Sequence, residues 1–98
     1  MSFSLAIRPE AAQDIREARQ KYATQQPGLD NDFVTCVDEI FDRIQEMPDL
    51  FAIVYRTVRR CKTRRFPYVI YYRIVANQVE VLAVVHASRH SQVWQNRV

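Results

Sequence analysis

Glycine is almost missing. The 98-residue chain holds one, Gly28, too few for a glycine-rich phosphate loop, a dinucleotide fingerprint, a collagen repeat or a flexible linker. Cysteine is scarce too: Cys36 and Cys61 lack the spacing of a metal site and read as reduced, cytoplasmic thiols. No metal and no cofactor is expected. No apolar run reaches the ~18 residues that cross a bilayer, so no membrane partner is expected. The start, Met1-Ser2-Phe3-Ser4-Leu5, has no basic stretch followed by a long apolar one, so a signal peptide is not expected. Apolar residues at 48% and charged residues at 26% fit one globular domain, residues 1–98, with a modest core.

Acidic residues nearly vanish from the second half. Residues 1–50 hold ten acidic and five basic residues, a net of −5, whereas residues 51–98 hold nine basic residues against Glu80 alone, a net of +8. The overall +3 conceals this split. A basic half of this strength suits a polyanion or an acidic protein; the competing reading is a solvated strand face, although such faces usually mix signs.

Phe3–Ile7 alternates apolar and polar, which predicts a strand burying Phe3, Leu5 and Ile7. Pro9 opens a helix whose stripe is Ala11, Ile15, Ala18 and Tyr22, ended by Pro27-Gly28. A second helix begins near Asp30, with Phe33, Val37, Ile40, Ile44 and Met47 as its stripe and Pro48 as its stop. The remainder is rich in β-branched and aromatic residues and predicts strands over Val58–Arg65, Tyr68–Val75 and Val79–His86. The last is apolar on both faces and suits a central position. Ser91–Val98 reads as one short helical turn or a frayed tail. The class is therefore α+β: an N-terminal strand, a helical hairpin and a three-stranded antiparallel meander, with the helices packed on one face of the sheet.

Three features carry chemistry. Strand alternation places Arg60, Lys62 and Arg64 on one face, about 6–7 Å apart in sequence order, close to the spacing of successive phosphates, with Arg59 and Arg65 pointing the other way. A charged edge strand that prevents aggregation is the bland alternative. His86-Ala87-Ser88-Arg89-His90 follows the last strand. Its histidines titrate near neutrality but have no nearby Cys or carboxylate to complete a metal site. Of the adjacent Tyr71 and Tyr72 one must face out, where a ring could stack on a base; Trp94 either docks on a partner or folds back on its own core.

The runs Arg59-Arg60, Arg65-Phe66-Pro67-Tyr68-Val69-Ile70-Tyr71-Tyr72 and Ala83-Val84-Val85-His86-Ala87-Ser88-Arg89, followed by Trp94 and Arg97, resemble the C-terminal half of the RelE/ParE toxins. Ala18-Arg19-Gln20-Lys21-Tyr22, Pro27-Gly28-Leu29 and Phe33 resemble that family's helical region. The resemblance covers nearly the whole chain. It implies the toxin half of a type II toxin–antitoxin system, associated with plasmid stabilization and growth inhibition. It also implies a cytoplasmic hetero-oligomer with a cognate antitoxin, whose apolar helix or strand lies on the sheet while acidic residues meet the basic strand.

The family divides by target. RelE-like members are metal-independent endoribonucleases acting on messenger RNA in the ribosome, and ParE-like members inhibit DNA gyrase. RNA cleavage needs a proton acceptor for the 2′-hydroxyl, cations for the phosphorane and an acid for the leaving oxygen. Carried over by position, the candidate catalytic residues are Arg60, Lys62, Arg89 and His86, and the candidate target contacts are Arg59, Arg64, Arg65, Tyr72 and Trp94. The arginine that the resemblance implies on the following strand falls at Val69, and the terminal tyrosine falls near Gln95. Both depart from the RelE pattern, and a guanidinium at position 60 is a poor base. These departures favour the ParE-like route. The ribonuclease route and a non-toxic nucleic-acid-binding module are the alternatives.

Overall fold

The structure, a computed structural model, describes residues 3–98. Strand β1 (Ser4–Ile7) leads into α1 (Pro9–Gln25), with Pro9 in the first turn, where its missing amide costs nothing. Gly28 turns the chain with φ +86° at the N-terminus of α2 (Leu29–Glu46). A Cβ there would meet nothing within 4 Å, so the backbone conformation, not space, calls for glycine. The stripe of α2 buries Phe33, Val37, Ile40 and Ile44 as the spacing predicts. Met47 departs from it and is 57% exposed: the helix stops at Glu46 because the residue before Pro48 is driven out of helical geometry. Pro48–Leu50 forms a single 3₁₀ turn.

The second half supplies β2 (Ile53–Tyr55), β3 (Val58–Lys62), β4 (Tyr68–Val75) and β5 (Gln78–His86), and the tail contains one helical turn, α3 (Gln92–Gln95). The sheet has five strands in the order β1-β5-β4-β3-β2. The expected meander is present and is extended at one edge by β2, whose signal was the β-branched pair Ile53-Val54. β1 lies parallel to β5, Leu5 opposite Val79, which makes β5 central. Ile7, expected inside, is 40% exposed, because β1 is an edge strand and the chain leaves it at once for α1. β3 ends at Lys62, short of the expected Arg65. The Thr63 hydroxyl donates to Phe66 O (2.7 Å) and the Thr63 amide to Tyr68 O (3.0 Å), closing a bend that lifts Arg64 and Arg65 off the strand.

Both helices cover one face of the sheet. Tyr22, Phe33, Phe66 and Tyr68 meet there with ring centroids 4.9–6.0 Å apart, mostly edge to face, an arrangement worth about 0.5–1.5 kcal/mol per pair beyond area burial. The same core takes Cys61, Ile70, Tyr72, Val79, Val81 and Val84. Burial raises the Cys61 thiol to about 11, partly offset by Arg43.

The opposite face has a smaller core of Val58, Leu82, Ala83, Val85 and Trp94, edged by Tyr55 and Tyr71. The β4–β5 register slips between Tyr71 and Tyr72, an inserted residue that puts Leu82 and Ala83 on the same side. Two-residue turns join β2 to β3 and β4 to β5, and their first residues, Arg56 (φ 53°) and Ala76 (φ 55°), occupy the left-handed region. That strain costs an L-residue about 1–2 kcal/mol, against roughly 0.5–1 kcal/mol for the extra unfolded-state freedom of glycine. Ala76→Gly is therefore expected to raise the urea midpoint, by about 0.5–1 kcal/mol of stability; an unchanged or lower midpoint would contradict the strain.

Candidate functional site

Two of the candidate cations stand together. In β3, Val58 is buried on the open face, and Arg60 and Lys62 follow on that face at the strand period, both exposed. Arg60 is opposite Tyr71, which is opposite Ala83, while Lys62 is opposite Val69, which is opposite Val85. The tail closes over the apolar part of this surface. Trp94 stacks on Tyr71 (4.1 Å, 15°) and meets Tyr55 edge-on (5.6 Å). Its indole N–H is buried without a partner among the described residues. The result is two exposed cations, Arg60 and Lys62, beside a closed aromatic stack.

The other arginines of this segment are engaged elsewhere. Arg59 donates to Phe51 O (2.7 Å) and Asp49 O (3.2 Å), so it fastens the 3₁₀ turn and the approach to β2. Arg65 pairs with Asp32 (3.1 Å) and lies 5.4 Å from the Phe66 ring centre. Arg64 is exposed in the bend, off the strand row where alternation placed it. Tyr72, expected among the target contacts, is fully buried under the helices, and its hydroxyl donates to Pro48 O (2.6 Å). Burial is the main cause that drives this hydroxyl well above the usual tyrosine range. The ring on the open face is Tyr71. Trp94 is only 4% exposed and docks on its own sheet, so it presents no surface to a target.

His86 and Arg89 belong to a different place. His86 shares the face of Val84 and Tyr68, the helix side, and its ring is 5.5 Å from that of Tyr68. Its Nδ1 accepts the Ser88 amide (3.1 Å) and lies 2.7 Å from the Ser88 hydroxyl. A cleft of about 350 Å³ opens here between α1 and the end of β5, lined among others by Glu17, Lys21, Tyr68, Val84, His86 and Arg89. Burial raises the Tyr68 hydroxyl, Arg89 opposes that shift, and Asp14 and Glu17 add to it. The expected grouping of Arg60, Lys62, Arg89 and His86 is thus divided: two cations on the open face and the histidine with Arg89 at the helix-side cleft. The inserted residue at Leu82 reverses the alternation that a regular strand would have kept.

One functional-looking cluster escaped the sequence. Arg97 Nη1 meets Asp14 Oδ2 at 2.6 Å, Arg97 Nη2 meets Asp14 Oδ1 at 3.2 Å, and Nη1 also donates to Leu82 O (3.1 Å). Asp14 Oδ2 also accepts the Val84 amide (3.1 Å), and Arg8 donates to Arg97 O (3.1 Å). The hydrogen bond to Asp14 raises Arg97 above the ordinary arginine value, against the opposing effect of burial. This network ties the tail to α1 and β5. Among the described residues, no group of three His, Cys, Asp or Glu could hold a metal ion, and no helix is long and apolar enough to cross a membrane.

Residues 5–91 match the family model described as the ParE toxin of the type II toxin–antitoxin system parDE. The chain is 30% identical over 87 residues to Toxin ParE2 of Mycobacterium tuberculosis, in both strains CDC 1551 / Oshkosh and H37Rv, covering 88% of this chain and 83% of the relative. Among solved structures it is similar to a chain of the chromosomal ParDE toxin–antitoxin system from P. aeruginosa, with a TM-score of 0.77 at 19% identity, covering 87% of this chain and 96% of that one. It is also similar to a chain of the RelBE2 toxin–antitoxin complex from M. tuberculosis, with a TM-score of 0.61 at 18% identity, covering 88% and 99%. At those identities the structural likeness speaks for the fold.

Proposed function

The chain belongs to the ParE toxin family of type II toxin–antitoxin systems, and from that membership we propose that it arrests growth by binding DNA gyrase through the open sheet face rather than by cutting RNA. A cognate antitoxin is its partner at rest. The observation that carries the reading is the separation of the candidate catalytic groups. Cleavage at a 2′-hydroxyl needs a base and the phosphate-binding cations on one scissile phosphate. His86 is on the helix side with its Nδ1 engaged by Ser88, away from Arg60 and Lys62. Arg60 stays charged and cannot accept a proton. Val69, where an arginine would be needed, is fully buried between Lys62 and Val85. What is left on the open face is a binding surface of Arg60, Lys62 and the edge of Tyr71.

The test compares two readouts. The purified chain is expected to inhibit gyrase supercoiling, and its induction in bacteria is expected to stop growth while messenger RNA stays intact. Arg60→Glu with Lys62→Glu is expected to raise the concentration needed for inhibition at least tenfold. The melting temperature should be nearly unchanged, because both side chains are exposed. Codon-specific cuts in messages from induced cells, with supercoiling untouched, would overturn the reading in favour of the ribonuclease.

A further inference from the structure

The outer edge of β5 is only partly covered. β1 accompanies it as far as Ile7 opposite Val81, and the Arg8 amide then donates to Val81 O (3.1 Å) as the chain turns into α1. Beyond that point two side chains replace a strand: Arg97 donates to Leu82 O and Asp14 accepts the Val84 amide. There the substitution ends. On the inner edge the Ala87 amide donates to Pro67 O (2.8 Å), so by alternation the His86 amide and carbonyl point outward, as those of Val84 do. The His86 carbonyl is closed off by the Arg89 amide (2.9 Å). The Val84 carbonyl and the His86 amide have no partner among the described residues. Both residues line the 350 Å³ cleft.

An outward carbonyl at one residue and an outward amide two residues later are the pair that a single residue of a parallel strand engages, through its own amide and carbonyl. An antiparallel strand would need both groups of Val84 or both groups of His86, and Asp14 holds the Val84 amide while the Arg89 amide holds the His86 carbonyl. The open notch therefore continues the line of β1. The cleft rim is charged in a matching way. Among the described residues Lys21 and Arg89 are exposed and in no ion pair, Glu17 accepts only from the Gln13 amide (3.2 Å), and Asp14 is already matched by Arg97.

We propose that this notch receives an extended acidic segment of a partner protein, which adds one parallel strand beside β5 and sets a carboxylate between Lys21 and Arg89. The engaged residue shares the face of Val85, so the residues on either side of it turn their side chains toward the cleft. The site is separate from Arg60 and Lys62, and the inference goes beyond the gyrase reading and does not depend on it.

The probe is the peptide acetyl-Val-Glu-Val-Glu-Val-amide, titrated into the full-length ¹⁵N-labelled chain. Saturation is expected to slow exchange of the His86 amide at least tenfold. Peptide affinity is expected to fall at least tenfold in Lys21→Glu/Arg89→Glu, and equally when the glutamates of the peptide are replaced by lysine or its central valine is N-methylated. Toxicity is not a readout here, so failure of this proposal and failure of the gyrase reading are distinct. The proposal is overturned by no binding, by unchanged His86 exchange, by equal binding of the N-methylated peptide, or by binding that follows Arg60→Glu instead of Arg89→Glu. The peptide variants decide the matter even where a protein variant unfolds.

Discussion

Asp14→Ala is expected to destabilise the fold by about 3 kcal/mol, the lower end of the cost of orphaning one partner of a buried ion pair. The side chains of Arg97 and Asp14 are 18% and 12% exposed, so the orphaned guanidinium has little water to turn to. The substitution also strips the Val84 amide of its acceptor. For a domain of this size such a loss lowers the melting temperature by roughly 12–24 °C. Asp14→Asn keeps an acceptor for Val84 and loses only the charge, so it should fall between the two. Because Arg97 is raised, its share of the stability is present below the ordinary arginine range and is lost only as pH climbs through the raised value. Mildly alkaline buffer should therefore leave the pair intact. A thermal melt of Asp14→Ala within 2 °C of the parent, against the ~12 °C shift expected, would remove the network from the account of stability.

Trp94→Ala is expected to cost a similar amount, about 3–5 kcal/mol, as for other buried aromatics cut to alanine. The ring loses its stack on Tyr71 and its edge contact with Tyr55, and the tail loses its anchor on the sheet. Trp94→Phe separates packing from chemistry. It keeps an aromatic plate and removes an indole N–H that is buried without a partner among the described residues. An orphaned donor of that kind costs about 1–3 kcal/mol, so the phenylalanine variant should stay close to the parent. Trp94 and Arg97 hold the same short tail, so the double variant Asp14→Ala/Trp94→Ala should lose less than the sum of the two. Chemical denaturation of the full cycle measures this. Strict additivity would show that the two anchors act independently.

Much of the framework was legible because its signals are local. Helical periodicity found the stripe of α2 down to Ile44, and β-branched runs located β4 to the residue. Signals that depend on partners far along the chain were not legible. Asp14 and Arg97 are 83 residues apart and look like an ordinary helix charge and an ordinary tail charge. Tyr71 and Tyr72 could not be assigned to faces, because β5 is apolar on both sides and gives alternation no contrast. His86, grouped by sequence with Arg60 and Lys62, lies on the other face for a sharper reason: one inserted residue at Leu82 exchanges the two faces for everything after it. The parity of Arg60 and Lys62 in β3 was readable because no such insertion intervenes there.

The position of β5 has a consequence for synthesis. β5 is central in the sheet and follows every other strand in the chain, and its parallel neighbour β1 comes first, with Ser4 opposite Gln78. The N-terminal strand and helices therefore leave the ribosome long before the strand that completes their sheet exists. Contacts of such high sequence separation form late and slowly, and the apolar stripe of α2 waits uncovered in the meantime. A nascent chain interrupted before β5 would lack both faces of its core, so a truncated translation product would be a substrate for proteolysis and not a toxin.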